Sequence, residues 1–361
     1  MATQAGADGA GEPAPAGGVQ LETRPPAVVV SGLAKSYGDI EAVRGIDFEV
    51  AAGETFGFLG PNGAGKSTTI KILCTLARPT SGGATVAGHD VVSERDAVRR
   101  NIGLVFQDTT LDNYLSGAQN LRFHAELYAV PSAAVAPRMK QVLDMVGLWD
   151  RRDSLVSTYS GGMQRRLDVA MGLINRPQVL FLDEPTAGLD PESRSAMWDE
   201  IARLAQGEGL TILLTTHYLE EADRLAGRLA IVDRGRVVTE GTPDELKAQL
   251  RGDTVLVELA APGDPGRLDT ILSQVPGVRE TRVTGTQLSA RADDGATAVP
   301  ALLAALERAG IAVHGVTAAR PTLDDVYLRY AGRRFAEAEE PAPATSQPAG
   351  QPGPSQSGGS R

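Results

Sequence analysis

Gly60-Pro61-Asn62-Gly63-Ala64-Gly65-Lys66-Ser67 fills every fixed position of the pattern G-x-x-x-x-G-K-[ST]. Its setting supports the match. The apolar run Thr55-Phe56-Gly57-Phe58-Leu59 reads as a strand feeding the loop, and a helix is predicted from Lys66 to about Leu76. In such a place glycines let successive backbone N–H groups turn inward around phosphate oxygens. The helix N-terminus adds partial positive charge at the same point. Lys66 would reach the β- and γ-phosphates of a nucleotide and the Ser67 hydroxyl would bind Mg²⁺, with Thr68 beside them in the same phosphate-binding turn.

Two later stretches narrow this reading. Val179-Leu180-Phe181-Leu182-Asp183-Glu184 is a continuous apolar run ending in two acids. A parallel strand buried on both faces reads this way, and ligands sit at the carboxyl ends of such strands. Asp183 would hold Mg²⁺, through water, and Glu184 would polarise an attacking water. Between the loop and these acids lies Tyr159-Ser160-Gly161-Gly162-Met163, a turn opening a helix predicted through Leu173. Ser160 is an N-cap residue type, and a helix N-terminus favours an anion. The turn is thus a second phosphate-binding surface. One chain cannot easily bring it to its own nucleotide, so two subunits closing over the ligand are expected.

Working outward, strands are predicted at Ala27–Val30, Ile46–Val50, Asn101–Phe106 and Thr211–Leu214, with a helix from Pro191 onward. The alternation implies a largely parallel sheet covered by helices. The stretch from about Gly117 to Gly147 reads as helical with a break at Pro131, a helical subdomain inserted in the sheet. A boundary falls near Arg251-Gly252-Asp253. Beyond it come a strand (Thr254–Leu259), a helix (Leu268–Val275), a hairpin around Gly285, a helix (Val299–Ala309) and a strand (Ile311–Ala318). That order, β-α-β-β-α-β, is the ferredoxin-like arrangement. A closing helix is predicted at Pro321–Tyr330. The expected division is residues 1–26 disordered, 27–250 the nucleotide-binding domain, 253–331 a small α+β domain and 335–361 a disordered tail.

Composition removes several classes. The 361 residues carry a net charge of −10 and are only 4% aromatic, which disfavours nucleic acid and base stacking. No apolar run approaches the roughly 20 residues that cross a bilayer, and no basic-then-apolar signal opens the chain. A cytoplasmic protein is expected, held at a membrane, if at all, by another protein. The single cysteine, Cys74, lies in an apolar run and reads as a small buried hydrophobe.

From about Ala27 to Leu250 the chain resembles the nucleotide-binding subunit of an ATP-binding cassette (ABC) transporter. The resemblance implies an α/β fold: a P-loop NTPase cassette with a RecA-like parallel core, an antiparallel β subdomain and a helical subdomain. It implies ATP and Mg²⁺ as ligands, a second ATP-binding subunit as partner in a homodimer, and a separate integral-membrane permease. Ser160, Gly161 and Gly162 would then contact the γ-phosphate bound by the other subunit. Gln107 matches the family's glutamine loop, which senses Mg²⁺ and water, and His217 matches its switch histidine. Asp190 matches the loop crossing the dimer interface, and Tyr37 matches the aromatic that stacks on adenine. The helical insert beside Gln107, including Asp108 to Asn120, is the expected permease surface.

The family's commonest signature is Leu-Ser-Gly-Gly-Gln, so Tyr159 and Met163 depart from it while the phosphate-contacting core stays intact. Pro321-Thr322-Leu323-Asp324-Asp325-Val326-Tyr327 resembles the closing motif of the daunorubicin-resistance group of antibiotic exporters. Export of a hydrophobic compound is therefore the expectation. Methionine-type importers also carry a ferredoxin-like C-terminal domain, which keeps import as an alternative. A soluble ABC ATPase of translation or DNA repair is the rival from another class; the single cassette and the acidic charge weigh against it.

Overall fold

The computed structural model describes residues 25–207, 209–250 and 252–339. Most of the two segments read as disordered lies outside these residues. The cassette opens with β1 (Val28–Tyr37), β2 (Ile40–Val50), β3 (Thr55–Leu59), α1 (Lys66–Leu73), β4 (Ser81–Val86), β5 (His89–Asp90), α2 (Arg95–Asn101) and β6 (Ile102–Val105). The helical insert supplies α3 (Gly117–Leu127), α4 (Ser132–Met145) and α5 (Gly161–Gly172). The chain returns through β7 (Val179–Asp183), α6 (Pro191–Gly207), β8 (Thr211–Thr216), α7 (Leu219–Leu225), β9 (Arg228–Asp233), β10 (Arg236–Gly241) and α8 (Pro243–Ala248).

The central sheet has the order β10-β9-β3-β8-β7-β6. Every pair in it is parallel except β10 with β9. β7 and β8 are buried at every position, and each carries an apolar run, Val179–Leu182 and Ile212–Leu214. Register places the site: Leu59 pairs with Thr216 and Asp183 with Thr215. The chain segments leaving β3, β7 and β8 therefore emerge side by side at one sheet edge. The antiparallel sheet β2-β1-β4-β5 shares a core with this sheet, in which Phe48 lies 5.5 Å from Phe56 and 5.3 Å from Phe58, centroid to centroid. The insert packs on the other side through Leu121, Val142, Leu167 and Val169.

The C-terminal part holds β11 (Asp253–Leu259), α9 (Pro265–Leu272), β12 (Val278–Thr284), β13 (Gln287–Ala292), α10 (Gly295–Arg308), β14 (Val313–Ala319), α11 (Leu323–Ala331) and α12 (Phe335–Glu339). Its antiparallel sheet has the order β12-β13-β11-β14, with α9 and α10 sharing its core. α11 leaves that core. It buries Leu323, Val326 and Tyr327 among Ala222, Leu229, Ile231, Leu246 and Leu250 of the cassette.

Several elements differ from expectation. β1 extends to Tyr37 through register shifts near Gly32, whose φ of 54° makes the irregularity cheap. α1 stops at Leu73 because Thr75 turns to φ 63°. α10 starts at Gly295, capped by Asp294, and carries Pro300 within its first turns. Phe335–Glu339, placed by sequence in the tail, is helical, with Phe335 buried 4.9 Å from the Tyr327 ring.

Candidate functional site

The phosphate loop is built so that its backbone faces inward. Gly65 has φ 103°, and a Cβ there would collide with the Ala42 carbonyl. A Cβ on Gly60 would strike the Val232 carbonyl. Pro61, Asn62, Gly63 and Ala64 complete the loop, and α1 starts at Lys66 with Ser67 and Thr68 in its first turn. The loop is braced from behind: Gly235, in the turn between β9 and β10, donates its N–H to Ala64 O at 3.0 Å.

Lys66 is buried. Its Nζ lies 2.7 Å from Gly60 O, 3.2 Å from Pro61 O and 3.2 Å from Glu184 Oε1. Ser67 Oγ donates to Asp183 Oδ1 at 3.1 Å, and Thr215 Oγ1 donates to the same oxygen at 2.6 Å. Glu184 takes the left-handed conformation, φ 48°, which is strained for a non-glycine residue. Its N–H is held by Thr215 O and Thr215 Oγ1, at 3.1 and 3.0 Å. His217 Nδ1 lies 3.0 Å from Glu184 Oε2. Burial pushes the Glu184 carboxyl up, but His217 and Lys66 together more than offset it, so it sits below the usual carboxylate range.

The structure thus gathers Lys66, Ser67, Asp183, Glu184 and His217. The other expected site residues lie apart from this cluster. Gln107 is exposed, and its backbone carbonyl lies 3.5 Å from Arg165 Nη1. Ser160 caps α5, its Oγ accepting from Met163 N at 3.3 Å. Gly161 and Gly162 face Leu189 and Ser193. Asp190 is exposed and caps α6 through Ser193 N at 2.9 Å. Tyr37 is half exposed, with Lys35 Nζ 4.8 Å from its ring centroid.

Tyr159 accounts for one departure in the signature. It is buried and donates its hydroxyl to Arg151 O at 2.7 Å, which anchors the turn before Ser160. Met163 packs part-buried against the insert core.

Three residues escaped the sequence reading. Thr215 orients both Asp183 and Glu184. Buried Glu221 accepts from Thr186 Oγ1 at 2.8 Å and Trp198 Nε1 at 3.0 Å, four residues after His217. Burial raises its carboxyl above the usual range. Arg165 sends its guanidinium under the whole site. Nε donates to Pro185 O at 2.6 Å, Nη1 to Phe106 O, and Nη2 to Asp183 O and Glu184 O at 3.2 and 3.1 Å. Its only signal in the sequence was an Arg–Asp pair three residues apart, Arg165 and Asp168, on the helix opened by Ser160.

Among the described residues no group of three or more His, Cys, Asp or Glu side chains could hold a metal ion alone. Ser67 Oγ and the Asp183 carboxylate are hard oxygen donors side by side. They suit Mg²⁺, which is usually bound by one or two protein oxygens together with substrate phosphates.

A glycine-cradled lysine facing two acids at a parallel sheet edge defines a P-loop nucleotide hydrolase. A family profile described as ABC transporter matches residues 43–187. A second, described as ATP-binding protein DrrA1-3-like, C-terminal domain, matches residues 241–331. The chain belongs to the ABC transporter ATP-binding proteins, a family that binds and hydrolyses ATP. Daunorubicin resistance ATP-binding protein DrrA3 of Streptomyces coeruleorubidus is 46% identical over 315 residues, covering 86% of this chain and 98% of that protein. Nod factor export ATP-binding protein I of Ralstonia nicotianae is 37% identical, covering 86% and 95%. A dimeric ATP-binding cassette solved in a post-hydrolysis state with ADP and Pi superposes with a TM-score of 0.54 at 26% identity, over 60% of this chain and 98% of that one.

Proposed function

We propose that this chain hydrolyses ATP as one half of a dimer that drives a separate membrane permease, exporting a hydrophobic compound. One observation carries the reading. The cluster Lys66, Ser67, Asp183, Glu184 and His217 forms without the Ser160 turn, whose Gly161 and Gly162 face Leu189 and Ser193 of their own chain. A second copy would supply Ser160, Gly161 and Gly162 to the exposed side of the nucleotide, with Asp190 at the same seam.

In this reading the loop N–H groups and Lys66 hold the β- and γ-phosphates, and Tyr37 stacks on the adenine. Ser67, Asp183 and Gln107 would hold Mg²⁺, which when bound neutralises charge on the phosphate oxygens. Water adds to the γ-phosphorus, the bond from that phosphorus to the ADP oxygen breaks, and Glu184 takes the water's proton. His217 orients the water and the γ-phosphate. The left-handed backbone of Glu184, held by Thr215, fixes the base in place.

No helix among the described residues is long and apolar enough to cross a membrane. The permease would therefore be another chain, and this one would work from the cytoplasmic side. Tyr114 is an exposed aromatic within the stretch from Asp108 to Asn120, which would dock on the permease. The names of the relatives, drug resistance and Nod factor export, support export over import.

The test uses Glu184→Gln. Steady-state ATPase activity should fall about 100-fold or more, and the variant should sediment as a dimer with MgATP and as a monomer without it. Activity near wild type would defeat this mechanism. The co-purified permease in inside-out vesicles should accumulate a fluorescent hydrophobic drug on ATP addition; uptake only in right-side-out vesicles loaded with ATP would mean import.

A further inference from the structure

Arg165 is buried, and its donors end on backbone carbonyls from two separate segments, 106–107 and 183–185. Phe106 and Gln107 belong to the exit of β6, Asp183 and Glu184 to the end of β7, and Pro185 to the turn beyond. Most of these carbonyls lie where the strands stop and the ladder offers no further N–H groups, so each needs a donor. A guanidinium provides five N–H groups in one rigid plane. The same helix face holds the loop once more: Asp168 Oδ1 meets Thr110 N and Oγ1 at 3.4 and 3.5 Å. Glu184 is thereby gripped on both sides, its N–H by Thr215 and its C=O by Arg165.

We infer that Arg165 is a positioning residue that couples the two ATP sites of the dimer; the inference rests on the dimer reading above. It sits five residues after Ser160 on α5, a helix too short and too well packed to bend between them. The helix N-terminus addresses the partner's nucleotide, while the guanidinium holds Gln107 and Glu184, which address the chain's own. A shift of α5 on engaging one γ-phosphate moves the base and the glutamine at the other. A lysine cannot replace this arrangement, because one ammonium on a flexible stem does not hold five carbonyls of two segments in a fixed plane.

The experiment compares the full wild-type chain with Arg165→Lys and Thr110→Ala; Thr110 is exposed, so its loss leaves the core untouched. Binding of a fluorescent ATP analogue should stay within about twofold, because Arg165 does not contact the phosphate loop. The turnover number of Arg165→Lys should fall about tenfold with KM little changed. Its Hill coefficient for ATP should drop from about 2 to about 1, and that of Thr110→Ala should drop part of the way. A purely structural arginine would lower stability without moving the Hill coefficient. Unchanged cooperativity in folded Arg165→Lys overturns the proposal. Should that variant fail to fold, wild-type cooperativity in Thr110→Ala overturns it instead. If Glu184→Gln fails to dimerise with ATP, the dimer reading itself falls and takes the coupling with it.

Discussion

Asp168 is a carboxyl that the fold partly neutralises. Its side chain is buried, one oxygen has no hydrogen-bond partner, and burial pushes it up to about 6 despite the nearby Arg165. The folded chain therefore holds this proton more tightly than the unfolded one, where Asp titrates near ~3.9. Stability from this group is present at low pH and is lost as pH rises from about 4 to about 6. Urea denaturation should show wild type losing about 1 kcal/mol relative to Asp168→Asn between pH 5 and pH 7.5. An equal change in both proteins would assign the slope to other groups. Cys74 behaves as its apolar neighbours implied: it is buried, and burial pushes its thiol well up. At this scale the residues legible in the sequence were those whose chemistry is local to a motif, such as Lys66, Ser67, Asp183 and Glu184. Thr215, Arg165 and Glu221 were not, because only folding brings each to a partner far along the chain. Thr215 lies 31 residues from Glu184, Arg165 lies 59 from Phe106, and Glu221 lies 35 from Thr186.

α11 shows how an element can be legible in form and illegible in purpose. The sequence predicts a helix from Pro321 to Tyr330; it starts at Leu323, where Thr322 caps it and Asp325 returns the bond. Its destination is not readable in the same way, because an amphipathic stripe does not say which surface will cover it. The stripe leaves its own domain, and Tyr327, fully buried, donates its hydroxyl to Asp233 at 2.9 Å. Burial and that carboxylate push the phenol up. Arg333 also donates to Asp233, at 2.8 Å. Tyr327→Phe should cost about 1 kcal/mol, since Asp233 keeps Arg333. Asp233→Ala should cost about 2–3 kcal/mol, because it strands a buried hydroxyl. Equal urea midpoints for the two variants would contradict this ordering. The strands β9 and β10, the first of which carries Asp233, escaped the sequence reading, although Leu229-Ala230-Ile231-Val232 is as apolar as β7. Their turn hides its signal in Arg234, which takes φ 48° beside Gly235 at φ 78°.

Across the whole molecule, the closing helices α11 and α12, which follow the ferredoxin-like sheet, share a core with the cassette. Leu246 and Leu250 of the cassette pack with Leu323, Val326 and Phe335 from beyond the C-terminal sheet. A chain ending at residue 250 should expose this surface and aggregate where the full chain does not, as light scattering would show. The parallel sheet of the cassette and the β-α-β-β-α-β order were readable because apolar runs and turn residues encode them. The seam between them was not, because it depends on which apolar faces meet. That seam also reaches the phosphate loop. Tyr327 and Arg333 hold Asp233, and two residues later Gly235 holds Ala64 of the phosphate loop. Heat should therefore find one melting unit here and not two. Scanning calorimetry should give a single endotherm, and ATP should move all of it upward together; a C-terminal shoulder indifferent to ATP would mean that the halves part company before they unfold.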